Sequence, residues 1–149
     1  MQIDINKVLE EIKILPKFSS QIGIQGTNDN LDPFRGCGYY VDLAPYKEKD
    51  FNVPIFDMPY TNSIIRDLKM FRTRLMRLKS KECYTYHWDH KKRLHVPLIT
   101  NEKCFFIVDK ELLQLPADGK SYVVDTTKMH TAINASWEDR LHLVGVIDE

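Results

Sequence analysis

Hydrophobic and polar positions change rhythm part-way along the chain. Near the start, Val8, Leu9, Ile12 and Ile14 recur at helical spacing, with Asp4 placed to cap the run and Pro16 to end it. A second helical stretch, SIIRDLKMF, covers residues 63–71, with Thr61 or Asn62 placed as its cap. Between the two, residues 19–59 are rich in Gly, Pro, Asn and Asp. Short runs such as QIGIQ and GYYVDL appear there without a sustained period, which predicts loops with short strands. Long ordered loops in compact domains tend to be functional, so this segment is a candidate substrate-contacting flap; connective padding is the alternative. Arg35, Tyr39 and Tyr40 are its candidate contacts, although their spacing carries no code.

From Arg72 onward the apolar runs become short. RTRLMRLK, RLHVPLIT, KCFFIV, SYVVD and RLHLVGVI are separated by turn signals at residues 100–102 and 116–119. Many short strands after a helical start predict a mainly β fold, a sandwich or jelly roll with N-terminal helices packed outside. No repeat or linker divides the chain, so residues 1–149 are expected to form one domain. Residues 1–71 would supply helices and flap loops, and residues 72–148 a β core.

Composition narrows the functional classes. A length of 149 residues suits one domain with a real core. Lys plus Arg equals Asp plus Glu at 21 each, which argues against a nucleic-acid or membrane-surface binder. Charge is locally uneven, however. Arg66, Lys69, Arg72, Arg74, Arg77, Lys79 and Lys81 cluster together. They form either a solvated helix end and strand edge or a face meant for an anion. Three cysteines without C-x-x-C spacing imply neither a disulfide framework nor a zinc knuckle, and Cys104 in CFFIV reads as core. The start lacks an apolar signal core, and no apolar run approaches the ~18 residues of a membrane span. A cytoplasmic protein is the simplest expectation.

The chemistry concentrates in residues 86–101, YHWDHKKRLHVPLITN. His87 and Asp89 are two residues apart, and on an extended strand such residues share a face. An imidazole and a carboxylate aimed at one point make two-thirds of a 2-His-1-carboxylate iron site, with His130 as candidate third ligand. Ten residues after His130 comes Arg140, opening an apolar strand. An arginine pointing into a barrel is costly unless it meets an anion, and its planar fork suits a carboxylate.

These residues, with Arg93-x-His95-x-Pro97-Leu98 and Thr100-Asn101, resemble the aspartyl/asparaginyl β-hydroxylase-like branch of the Fe(II)/2-oxoglutarate dioxygenases. The resemblance covers about residues 72–148. It implies a double-stranded β-helix, the cupin-like jelly roll. It implies that His87, Asp89 and His130 bind Fe(II), and that Arg140 pairs with the distal carboxylate of 2-oxoglutarate. Arg93 and His95 would lie in the co-substrate pocket. The implied activity is hydroxylation of an amino acid, an Asp/Asn-type peptide side chain or another small molecule, using O2 and releasing succinate and CO2. One departure stands out. Where the animal enzyme of this branch has a serine holding the distal carboxylate, this chain has Met76; Arg74 or Arg77 is the candidate replacement.

Plainer readings stand beside these. His87 and Asp89 could be a surface pair near a turn, Arg93 a surface charge and His95 a core histidine. His90 is expected to be exposed, Trp88 to point away from the metal and serve packing, and His142 to be structural although it shares Arg140's strand face. Two other functions compete. One is a cupin-like metal enzyme that does not use 2-oxoglutarate, and the other is a non-catalytic jelly-roll binding module. Neither the substrate nor the oligomeric state can be read from these residues.

Overall fold

Two antiparallel sheets face each other, and the chain crosses between them repeatedly. The computed structural model describes residues 1–148. In chain order the strands are β1 (Gln21–Gly23), β2 (Gln25–Gly26), β3 (Val53–Pro54), β4 (Phe71–Leu78) and β5 (Arg93–Ile99). They continue as β6 (Cys104–Val108), β7 (Glu111–Leu113), β8 (Tyr122–Val124), β9 (His130–Asn134) and β10 (Arg140–Val146). The larger sheet has the order β1-β4-β10-β5-β8, the smaller one β7-β6-β9, and β2 pairs only with β3.

Residues 83–87 extend the smaller sheet. They run along β9 through isolated bridges, Cys83 to Ile133 and His87 to His130. With that stretch included, four strands (β4, β10, β5, β8) face four more, and sequence neighbours alternate between layers except for the β6–β7 hairpin, which stays in the smaller sheet. This is the jelly-roll winding that the sequence predicts.

Alternation along the strands gives the larger sheet two different faces. Leu75, Leu94, Val96, Leu98, Leu141 and Leu143 join Val8, Ile64 and Ile65 in the main apolar core under the helices α1 (Ile5–Glu11) and α2 (Pro59–Asp67). The opposite face carries Arg74, Arg93, His95, Arg140 and His142, all buried. Phe106 of the smaller sheet meets it, with ring centroids 5.1 Å from His95 and 6.2 Å from His142. Leu78, Phe106, Leu115, Val124 and Ala132 form a second, smaller core there.

The helices sit outside the sheets, as expected, but the second has different ends. Asp4 caps α1 by accepting from the Lys7 amide at 3.2 Å. In contrast, α2 begins at Pro59, so Thr61 and Asn62 lie inside it and neither is its N-cap. Its free amides are satisfied from far away. The Glu11 carboxylate accepts from the amides of Tyr60 and Thr61, each at 2.8 Å, and from the Thr61 hydroxyl at 2.6 Å. The helix stops at Asp67 rather than residue 71, because Lys69 turns left-handed (φ 53°) and Phe71 opens β4. The flap is mostly loop with short strands and 3-10 turns, including Tyr40–Leu43 and Glu48–Asp50. Strands β7 and β9 were not among the runs expected from the sequence; the polar, turn-like start of β9 hides it. Among the described residues, no helix is long and apolar enough to cross a membrane.

Candidate metal centre

His87, Asp89 and His130 come together, and the backbone explains how. The 83–89 segment is extended along β9, with His87 N donating to His130 O at 3.0 Å and His130 N to His87 O at 2.8 Å. Asp89 N donates to Thr126 O at 2.8 Å, and Thr126 Oγ1 donates to Lys91 O at 2.9 Å. These bonds lock the H-x-D segment to the loop before β9. Thr126 is 2% exposed; its position in a run of turn formers hid this role.

Asp89 Oδ1 lies 3.7 Å from His87 Nε2, and Oδ2 lies 3.5 Å from His130 Nε2. One ligand atom from each residue falls within 4.8 Å of the other two. The other nitrogen of each ring is already used. His87 Nδ1 sits 2.6 Å from Thr85 O, and His130 Nδ1 sits 2.8 Å from Lys128 O. A carbonyl only accepts, so each Nδ1 carries the proton and each Nε2 presents its lone pair. Outer-partner bonding of this kind is how metal-ligating imidazoles are oriented. Burial holds His130 below the usual histidine range, outweighing the Lys128 carbonyl and Asp89, so it stays neutral as a ligand must. The side chains of His87, Asp89 and His130 are 40%, 23% and 7% exposed, so the set opens to solvent on its His87 side. The donor set fits a divalent metal of the non-haem iron type.

Arg93 is buried and already paired. Its Nη2 lies 3.0 Å from Glu48 Oε2, and its Nε lies 3.7 Å from Asp89 Oδ2. Glu48 also takes Arg72 Nη1 at 2.8 Å, while Arg72 donates to Gly36 O and Gly38 O at 2.9 Å each. The flap is thereby tied to the metal-side arginine. Burial would raise the Glu48 carboxyl, but Arg93 and Arg72 outweigh it and hold it below the ordinary range. Glu48 was not legible as a site residue, because PYKEKD reads as solvated surface.

Deeper between the sheets lie His95, His142 and Arg140. The two imidazoles approach Nδ1 to Nδ1 at 3.2 Å. Burial, with Arg140 nearby, holds both well below the usual range, so both are neutral and share one proton across that contact. Arg140 is 2% exposed and stacks over Phe106 at 5.4 Å. Its guanidinium adjoins the Tyr84 hydroxyl, yet Arg140 Nε, Tyr84 OH and His142 Nε2 all lack hydrogen-bond partners. Arg140 and His142 project from the same face of β10, and Tyr84 approaches them from the smaller sheet.

The basic cluster resolves into two populations. Arg72 and Arg74 are buried, whereas Arg77 turns outward, donating to Phe18 O at 2.6 Å and covering the Phe18 ring. Met76 pairs with His142 across β4 and β10. Arg77 therefore cannot replace the missing serine. His90 is exposed, as expected, with Trp88 edge-on at 5.2 Å and Tyr40 at 4.1 Å. Trp88 is itself 57% exposed and supports no core.

The fold is a jelly roll in which two imidazoles and a carboxylate converge on one point. This chain is a member of the aspartyl/asparaginyl β-hydroxylase family, whose model matches residues 42–148. Among solved structures it is similar to a Photorhabdus luminescens protein (14% identity, TM-score 0.44), over 52% of this chain and 62% of that one, less than two thirds of its length. It is also similar to a cupin domain from Bordetella pertussis (19% identity, TM-score 0.45), over 52% of this chain and 81% of that one. A predicted oxalate decarboxylase from Thermotoga maritima is similar too (14% identity, TM-score 0.41), over 57% of this chain and 73% of that one. Among curated proteins, none matches the chain.

Proposed function

We propose that this protein is an Fe(II)- and 2-oxoglutarate-dependent dioxygenase that hydroxylates an amino acid, an Asp/Asn-type peptide side chain or another small molecule, releasing succinate and CO2. The observation that carries the reading is Arg140. It is buried on the strand after His130, its Nε is unpartnered, and among the described residues no acid is paired with it. A metal enzyme that needed no anionic co-substrate would have no use for such a group.

His87, Asp89 and His130 would hold Fe(II), which when bound supplies O2 activation coupled to decarboxylation of the oxo acid. Arg140 would fix the distal carboxylate, with the Tyr84 hydroxyl beside it as second donor. His95 would present its free ring edge to the co-substrate, and His142 would hold that ring in place. Because Glu48 neutralises Arg93, this arginine orients Asp89 and lends the pocket positive potential more than it offers a free fork. The two facing layers keep water from the co-substrate, while the side open at His87 admits the molecule to be oxidised.

Succinate release tests the reading. With Fe(II), ascorbate and 2-oxoglutarate, the protein is expected to form succinate, and Arg140→Ala to lose most of that activity. Turnover of any substrate by Arg140→Ala that remains intact and independent of 2-oxoglutarate would move the protein to the cupin-like metal enzymes that do without it.

A further inference from the structure

The arginines between the sheets do not all have acids. Arg72 and Arg93 share Glu48. Arg140, in the reading above, takes the distal carboxylate. Arg74 is left over. It is 5% exposed and sits on β4 opposite Val144, whose other neighbour on β5 is His95. Its Nη1 donates to the neutral Gln21 Oε1 at 3.0 Å, and its Nε has no partner. The groups around it are Arg72, Arg93, the Cys37 thiol and Glu48, so its nearest acid is already committed to two other cations. Burial and those two arginines lower its pKa to about 9, which still leaves it charged at neutral pH.

Nor does Arg74 duplicate Arg140. Arg140 pairs with Leu78, four residues further along β4, which places the two backbones roughly 13 Å apart. Arg140 is surrounded by Tyr84, Phe106 and Cys104, whereas Arg74 adjoins the flap through Cys37. The charges of both arginines reach His95 and Tyr84, but His95 stands level with Arg74 across Val144 while Arg140 lies four residues away along the strands. A charged guanidinium withdrawn from water with only a neutral amide for company is destabilised until an anion completes it.

We infer that Arg74 is a second carboxylate anchor, separate from Arg140, and that it holds a small organic acid on the flap side of the site. The acid is either the 1-carboxylate of the co-substrate or a carboxylate of the molecule being oxidised. The inference rests on the dioxygenase reading for the identity of the acid, and on the unpaired Arg74 for its existence.

Binding to the metal-free protein, followed by ligand-observed NMR, tests this without iron or turnover. The probes are N-oxalylglycine, and acetate added on top of saturating N-oxalylglycine. If the co-substrate is the source, Arg74→Gln weakens N-oxalylglycine by at least about tenfold. If the oxidised molecule is the source, N-oxalylglycine is unchanged and the acetate site present in the wild type disappears. Arg74→Met, an apolar stand-in of similar length, serves if Arg74→Gln does not fold. A folded Arg74 variant that binds both probes within about twofold of wild type overturns the inference, as does a wild type that binds neither. Failure of the dioxygenase reading looks different: Arg140→Gln then leaves N-oxalylglycine binding unchanged.

Discussion

Glu48 Oε2 lies 3.0 Å from Arg93 Nη2 and 2.8 Å from Arg72 Nη1, with all three side chains buried. One carboxylate is therefore shared by two cations and joins the flap to the residue beside Asp89. Glu48→Gln leaves Arg72 without an acid and Arg93 with only Asp89, 3.7 Å away. Breaking a buried pair from one side costs about 3–5 kcal/mol, which lowers Tm by roughly 10 °C at this chain length. Calorimetry of the metal-free variant checks it. The sign with pH follows from the depressed carboxyl: its contribution is complete above the ordinary glutamate range, about 4.5, and is lost as pH falls below it.

The His95–His142 pair predicts a second pH dependence. Both rings refuse a proton when folded and accept one on unfolding. They add no slope above about pH 6.5, and below it stability falls by up to about 1.4 kcal/mol per pH unit for each ring. His130 acts with the same sign. Urea midpoints of metal-free protein from pH 8 to pH 5 are expected to decline, with a shallower decline in His142→Phe. Equal slopes would remove His142 from the account.

Metal affinity should depend on more than the three ligands. Asp89→Ala is expected to abolish Co(II) binding in the micromolar range. Thr126→Val loses the hydroxyl that bonds Lys91 O, and should weaken Co(II) by roughly tenfold, the lower end of outer-partner effects. Calorimetric titration separates the two. An unchanged affinity in Thr126→Val means the loop holds Asp89 without that bond.

Asn134 pins the far end of β9. Its Nδ2 donates to Leu78 O at 3.0 Å and to Glu138 O at 2.7 Å, and its Oδ1 accepts from the Ser136 amide at 3.0 Å and hydroxyl at 2.6 Å. Asn134→Ala orphans several buried groups at once and is expected to cost about 3 kcal/mol. Since this turn leads into Arg140, the variant should also bind 2-oxoglutarate more weakly. Denaturant unfolding and a binding titration measure the two effects separately.

What could be read from the sequence follows the range of the interactions. The H-x-D pair and the ten-residue step from His130 to Arg140 were legible because strand periodicity and local spacing carry them. The short apolar runs made a sandwich or jelly roll legible, and the family resemblance singled out the jelly roll. The start of α2 was misplaced because its cap, Glu11, comes from 49 residues away, outside any local window. Glu48 looked like surface for the same reason: its burial exists only once Arg72 and Arg93 converge on it. Alternation along RTRLMRLK sets Arg74 and Arg77 on opposite faces, but which face is interior emerges only from the pairing of β4 with β10.

The most direct test of the central claim is an anaerobic titration of the Fe(II)-loaded protein with 2-oxoglutarate, followed in the visible range. The account predicts a weak charge-transfer band saturating at one equivalent, absent in Asp89→Ala and shifted to much higher 2-oxoglutarate in Arg140→Ala. Iron-loaded wild type showing neither the band nor 2-oxoglutarate binding would contradict it.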